Sequence, residues 1–168
     1  MKKTFNLIIA VLTASLFLVA CGGSSKEFSA KEKMLMDKNW VPNLNANLKS
    51  DNQALEESTG IKSDFQLGGD VEKIGNFLAG KYLFGLDSKT HTDQVYSITA
   101  GQGILSTTTG AGKWQFSEDE KYLLLTPWDY DKNEYKSEPT KYEIIELTEN
   151  KLVWKQEGAS TTSTFECN

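Results

Sequence analysis

Lys141-Tyr142-Glu143-Ile144-Ile145-Glu146-Leu147-Thr148-Glu149-Asn150-Lys151-Leu152-Val153-Trp154-Lys155-Gln156 is the stretch that decides the fold. Two runs of strand-forming residues, 141–147 and 151–156, flank Glu149-Asn150, a pair suited to a tight hairpin. The same pattern continues outward. Upstream lie 81–84, 94–98, 104–108, 113–116 and 122–126; downstream lies 161–167, after a Gly158-Ala159 turn read with Gly in its first central position. Turn residues bound each run, so eight candidate strands succeed one another without long helices between them. That spacing specifies an antiparallel meander, and closure into a small barrel is the expected form because it leaves no free edge. Trp40-Val41-Pro42 adds an extended segment, since Pro42 disfavours helix at the residue before it.

Helical signals are confined to the chain before residue 81. Ser29-Ala30-Lys31-Glu32 has capping-box spacing and predicts a short helix through about residue 36. Residues 51–59 read as a second helix ended by Gly60. Asp70 is placed to cap another, with Val71, Ile74, Phe77 and Leu78 on one face and Gly80 closing it. Two or three helices this short are expected to cover a sheet rather than build a bundle. The expected class is mainly β, with the barrel occupying 31–168.

Composition supports one core and narrows the partners. The 168-residue chain is 39% hydrophobic and 24% charged, with only 3 Pro. All 18 basic residues are Lys, so bidentate Arg recognition of phosphate or guanine is excluded, and the net charge of -5 argues against nucleic acid as a partner.

The N-terminus speaks for location. Met1-Lys2-Lys3 is a positive leader start, and residues 7–20 form an apolar run shorter than the roughly 20 residues a membrane-crossing helix needs. Residues 1–20 therefore read as a cleaved signal. At its end, Leu18-Val19-Ala20-Cys21 resembles the lipobox of bacterial lipoproteins, which implies that the Cys21 thiol carries the lipid and that 21–30 is a lipidated, glycine- and serine-rich tether. Two or three acyl chains anchor stably at about 0.8 kcal/mol per buried methylene. The resemblance also implies an outer-membrane destination in the cell envelope, because position 22 is Gly rather than the Asp that retains such proteins at the inner membrane. Loss of 1–20 removes Lys2 and Lys3 and no acid, taking the net charge from -5 to -7. If Cys21 is lipidated, Cys167 is the one remaining thiol, and it reads either as a small buried hydrophobe or as a redox or dimer-forming group.

Short motifs across 33–168 are similar to those of small lipocalin-like lipoproteins of Bacteroidota-type bacteria. They are Lys38-Asn39-Trp40, Gly112-Lys113-Trp114-Gln115-Phe116, Tyr122-Leu123-Leu124-Leu125, Tyr142-Glu143-Ile144 and Leu147-Thr148-Glu149-Asn150-Lys151-Leu152. Lys38 stands where that family has the Gly of its Gly-x-Trp motif. What the resemblance implies is a calycin-type barrel with an apolar interior cup, and no shared chemistry.

Catalytic and cofactor patterns fail one by one. His91 is the only His and sits in a polar turn, without partners for a zinc or triad site. Thr109-Gly110-Ala111-Gly112-Lys113-Trp114 lacks the first Gly and the terminal Ser or Thr of a phosphate loop, and Gly101-Gln102-Gly103 lacks the third Gly of a dinucleotide motif. Asp129-Tyr130-Asp131-Lys132-Asn133 copies the start of a calcium loop but has Glu134 at the Gly turn and Thr140 at the closing Glu, so no metal is expected. No cofactor or enzyme activity is expected either.

Aromatic residues are the remaining signal. Of the 18 Trp, Tyr and Phe, Phe5 and Phe17 lie in the leader, leaving 16 to fill or line a barrel. Trp114 reads as core. Phe84, Tyr142, Trp154 and Phe165 are the candidates to line or floor a cup for a small apolar or amphipathic ligand. Trp128, Tyr130 and Tyr135 flank a polar loop and form a candidate surface contact for sugar rings. A hollow barrel points to ligand binding; a filled one points to a structural lipoprotein that docks an envelope protein. The lipobox reading generates the first prediction: a fatty-acid analogue supplied to cells labels the wild type and fails to label Cys21→Ser, whereas an unchanged label contradicts it.

Overall fold

The computed structural model describes residues 27–101 and 103–167, without the side chains of Asn76 and Phe77. The expected signal at 1–20, Cys21 and most of the tether lie outside the described residues, as does the side chain of Phe77. Among those described are three helices, α1 (Ala30–Leu35), α2 (Leu44–Thr59) and α3 (Gly69–Leu78). The strands are β1 (Asn39–Pro42), β2 (Lys81–Leu86), β3 (Gln94–Ala100), β4 (Thr107–Phe116), β5 (Tyr122–Asp129), β6 (Glu134–Tyr135), β7 (Thr140–Leu147), β8 (Lys151–Gln156) and β9 (Ser163–Glu166). Each pairs antiparallel with its neighbours in the cycle β1-β2-β3-β4-β5-β7-β8-β9, and β9 returns to β1. The result is a closed, up-and-down, eight-stranded barrel of the small lipocalin-like kind, with β6 as an outlying arm on β5. No helix among the described residues is long and apolar enough to cross a membrane.

The deciding hairpin forms as read. Leu147 pairs with Leu152, and Thr148 N donates to Lys151 O at 2.9 Å. A bulge between Ile144 and Glu146 leaves Ile145 unpaired and exposed and brings Leu147, opposite buried Leu152, back to the inner face. Gly158 occupies the second central position of its turn rather than the first: Ala159 N donates to Gln156 O at 3.0 Å, and Gly158 has a φ of 81°.

Two expected strands, 104–108 and 113–116, are one. β4 runs unbroken through Gly110 and Gly112, and Gly103–Leu105 is a 3-10 turn ahead of it. These glycines mark close approach rather than a turn. A Cβ on Gly112 would strike the Thr126 carbonyl oxygen and lie 2.6 Å from Tyr96 Cε1, so the bare backbone is what lets the Tyr96 ring lie against the strand. The strand that completes the barrel is instead β1. Trp40 is fully buried there and donates its indole N–H to Leu35 O at 2.9 Å.

The helices depart furthest from expectation. α1 has its capping box, with Ser29 Oγ accepting from Glu32 N and Glu32 Oε2 accepting from Ser29 N. α2 begins at Leu44, well before residue 51, capped by Asn43, whose Oδ1 accepts from Ala46 N at 2.9 Å. It has no buried residue and no apolar face to announce it. Polar groups hold it in place. β1 ends at Pro42, opposite Phe165, which leaves the edge of β9 before Phe165 without a strand partner. Asn47 Oδ1 accepts from Thr164 N at 2.6 Å, and Ser50 Oγ accepts from Thr162 N at 2.9 Å. Side chains at helical spacing thus satisfy a sheet edge.

α3 is capped at Gly68 rather than Asp70, which lies in its first turn, and it ends at Ala79 rather than at Gly80. It does not cover the sheet. Val71, Ile74 and Leu78 are 57%, 61% and 64% exposed. Its contact with α2 is made at Gly75, on the flank of that same face, which approaches Leu44 so closely that a Cβ would sit 2.5 Å from Leu44 Cδ1.

One end of the barrel is plugged. α1 lays Leu35 into it, and Lys31 Nζ reaches Glu120 O in the β4–β5 turn while Lys38 pairs with Glu149 in the β7–β8 turn. The polar brace on β9 generates the second prediction. Asn47→Ala leaves the buried Thr164 N–H unpaired and is expected to cost about 1–3 kcal/mol, a fall of several degrees in melting temperature. Asp51→Ala, exposed on the same helix and without a side-chain hydrogen-bond partner among the described residues, serves as the control. An Asn47→Ala melt identical to wild type contradicts the brace.

Candidate functional site

Strand register assembles a site at the other end. The pairs Tyr82↔Ile98, Ile98↔Gly110, Tyr96↔Gly112, Gly112↔Pro127, Leu125↔Thr140 and Leu123↔Tyr142 put all these residues on the inner face. Along β4 the inward positions run Gly110, Gly112, Trp114, Phe116. The strand therefore contributes no side chain at one end and two large aromatics toward the other. An eight-stranded barrel is just wide enough for side chains to fill or for one small ligand to enter. Here it does both, in different halves.

The filled half is aromatic. Phe84, Trp114, Trp154 and Phe165 are at most 5% exposed and pack with Leu35, Trp40, Leu123 and Leu152. Trp154 meets Phe165 at 4.7 Å between centroids, and Phe84 meets Trp114 edge-to-face at 5.8 Å. Trp114 donates its indole N–H to Gly85 O at 3.2 Å.

Above this layer lies a cavity of about 300 Å³. Tyr82, Tyr96 and Tyr142 wall it together with Ile98, Leu125, Pro127, Thr140 and the backbone of β4; Trp128 and Tyr130 stand at its mouth. Tyr142 and Tyr82 rest on Trp154, at 4.7 and 5.3 Å between centroids. No charged side chain lines the cavity. Among the described residues, none of the Tyr82, Tyr96 and Tyr142 hydroxyls has a protein hydrogen-bond partner, although Tyr96 is only 5% exposed. Burial pushes the Tyr82 phenol up to about 12, with Tyr142 adding to it. Burial likewise pushes Tyr96 up to about 12, with Tyr82, Tyr142 and Tyr130 adding, and raises Tyr142. The phenols stay protonated and available as donors at every physiological pH.

Of the four residues read as a cup, then, Tyr142 lines the cavity, while Phe84, Trp154 and Phe165 form the solid layer beneath it. Of the three read as a sugar surface, Trp128 and Tyr135 pack edge-to-face at 4.8 Å with an 83° angle, so they do not make one flat platform. Lys113 caps Tyr135 at 4.8 Å, and Tyr130 stands apart at the mouth. A second hollow, of about 440 Å³, lies on the outer face of β2–β4 between Asp37, Asp87 and Trp128. It is a surface trough lined mainly by outward residues such as Leu83, Val95 and Ser97.

Other candidates resolve into local structure. Asp129 Oδ1 accepts from Asp131 N and Lys132 N, which spends that oxygen on the turn itself. No group of three or more His, Cys, Asp or Glu converges among the described residues. His91 is exposed in a loop with a φ of 54°. Cys167 is half-buried, packs against the core and donates to Glu149 O at 3.2 Å.

Reading the sequence missed Tyr82, Tyr96, Ile98, Leu125, Pro127 and Thr140. The available signal was tyrosine in place of phenylalanine at inward positions, opposite two glycines. Compared with family models, curated proteins and solved structures, the chain finds no match in any of the three.

The phenols generate the third prediction. A tyrosine ordinarily ionises near 10, so folded-state values of about 12 mean that stability is fully present below pH 10 and is lost as pH rises toward 12. Tyrosinate absorbance is expected to show a late class containing Tyr82 and Tyr96, ionising together with unfolding. All 6 tyrosines ionising near pH 10 in a folded barrel would contradict the burial.

Proposed function

We propose that this chain is a lipid-anchored cell-envelope lipoprotein whose lipocalin-like barrel holds one small apolar or amphipathic molecule without transforming it. The observation that carries the binding half is the open cavity of about 300 Å³ above the aromatic layer, at the lower end of the roughly 300–1,000 Å³ typical of ligand pockets. The anchoring half rests on Leu18-Val19-Ala20-Cys21 and the Gly/Ser residues after it. Gly22 favours the outer membrane. α1 enters at the plugged end, and the nine residues from Cys21 to Ser29 reach at most about 30 Å when extended. The tether thus attaches the lipid at the plugged end rather than at the mouth.

The exposed Val71, Ile74 and Leu78 on α3 favour a second reading, a lipoprotein that docks another envelope protein through its helices.

Dye uptake separates the two. N-phenylnaphthylamine is expected to bind the folded domain saturably and with little dependence on salt, because the contacts are burial and dispersion. Thr140→Trp, which places a large side chain in the cavity, is expected to abolish the signal while the domain stays folded. A well-folded wild type that takes up no dye contradicts the binding reading and leaves the docking one.

A further inference from the structure

We infer that the cavity selects an uncharged, compact molecule that presents an acceptor oxygen, such as a carbonyl, to the hydroxyls of Tyr82, Tyr96 and Tyr142. This inference rests on the binding reading above and names the ligand class for the same cavity. Three phenols that each can donate meet in one uncharged space, and no group among the described residues accepts from any of them. Tyr96 is buried and Tyr82 and Tyr142 are half-buried beside it; a buried polar group without a partner is rare and costly, so this cluster calls for a partner from outside. Thr140 Oγ1, also on the wall, has no hydrogen-bond partner among the described residues, whereas other nearby polar groups are committed. Thr109 Oγ1 donates to Ile98 O at 3.3 Å, and the Trp114 indole donates to Gly85 O.

The donor set also limits the charge of the guest. With no Lys among the lining residues, a carboxylate or phosphate would enter an apolar space with no counter-charge, and phenolic donors alone do not repay that desolvation. An ammonium would meet ring faces but no Asp or Glu, and, having no acceptor, would leave the phenolic hydrogens unmet. A ligand that only donates leaves all three phenolic hydrogens unmet. One oxygen with two lone pairs can accept from two phenols at once. Tyr82 and Tyr96, whose rings stack at 6.4 Å with a 26° angle, are neighbours in the wall and the pair tested below.

Three related naphthalene dyes test it: prodan, which is uncharged and carries a ketone; dimethylaminonaphthalene, which lacks the ketone; and dimethylaminonaphthoate, which is an anion. Prodan is expected to bind about tenfold more tightly than either of the others, the worth of one or two hydrogen bonds in a buried site. Tyr96→Phe and Tyr82→Phe are each expected to weaken prodan about fivefold and to leave dimethylaminonaphthalene unchanged. Each variant is expected to melt at or above the wild-type temperature, because the deleted hydroxyl had no partner. Equal affinities for prodan and dimethylaminonaphthalene overturn the inference and leave the cavity reading intact, as does a preference for the naphthoate or indifference of prodan to both variants. A folded wild type that binds none of the three dyes overturns the cavity reading itself.

Discussion

Asn39–Pro42 is the seam on which the barrel depends. Asn39 and Trp40 pair with Leu83 and Tyr82 of β2, and Val41 and Pro42 pair with Glu166 and Phe165 of β9, so four residues join the first and last parts of the meander. A seam that short is secured by what it buries. Trp40 is wholly inside, and its indole is tied to Leu35 O, which fixes α1 as the plug of the same end. Asp37 N donates to Phe84 O on the way. Where the seam stops, at a proline that could donate nothing further, Asn47 and Ser50 of α2 take over the amides of Thr164 in β9 and of Thr162 just before it. Closure is thus half strand pairing and half helix side chains.

The division of the interior follows from side-chain size along the strands. Toward the plugged end the inward positions carry Trp40, Phe84, Trp114, Phe116 and Trp154, enough volume to fill the narrow bore of eight strands. Toward the mouth they carry Gly110, Gly112, Pro127 and Thr140 beside three tyrosines. Glycine there has two effects. It leaves space, and it lets Tyr96 lie flat against β4 so that its hydroxyl belongs to the cavity wall. The mouth's polarity therefore comes from uncharged donors alone, which separates recognition at this site from the surface electrostatics of an acidic, arginine-free chain.

Much of this was legible in the sequence, for physical reasons that differ by element. Alternation and turn residues specify β2, β3, β5, β7 and β8 because half-buried strands must alternate. The capping box of α1 is legible because its two hydrogen bonds need particular residues at a fixed spacing. The glycines of β4 misled, since the same residue type serves a turn and a close approach. α2 was legible only in its second half, where Gly60 ends it; its first half is held by Asn43, Asn47 and Ser50, which look like loop residues until a sheet edge is beside them. Of the residues expected to line or floor the cup, Phe84, Trp154 and Phe165 lie in the layer beneath it, and the walls above that layer, Tyr142 apart, were not legible. Strand parity identifies an inward face but not how far along the bore a residue sits, and that depth depends on register across β2–β5 and β7.

The central claim is that one barrel is solid at one end and receptive at the other. Methyl spectra of the domain, labelled at Ile and Leu and titrated with prodan, test it most directly. The account predicts shifts at Ile98 and Leu125, with Leu35, Leu123 and Leu152 in the plugged half and Leu83 and Ile145 on the outside unmoved. Shifts centred on Leu35, Leu123 and Leu152, or on the outer methyls with Ile98 and Leu125 silent, would contradict it.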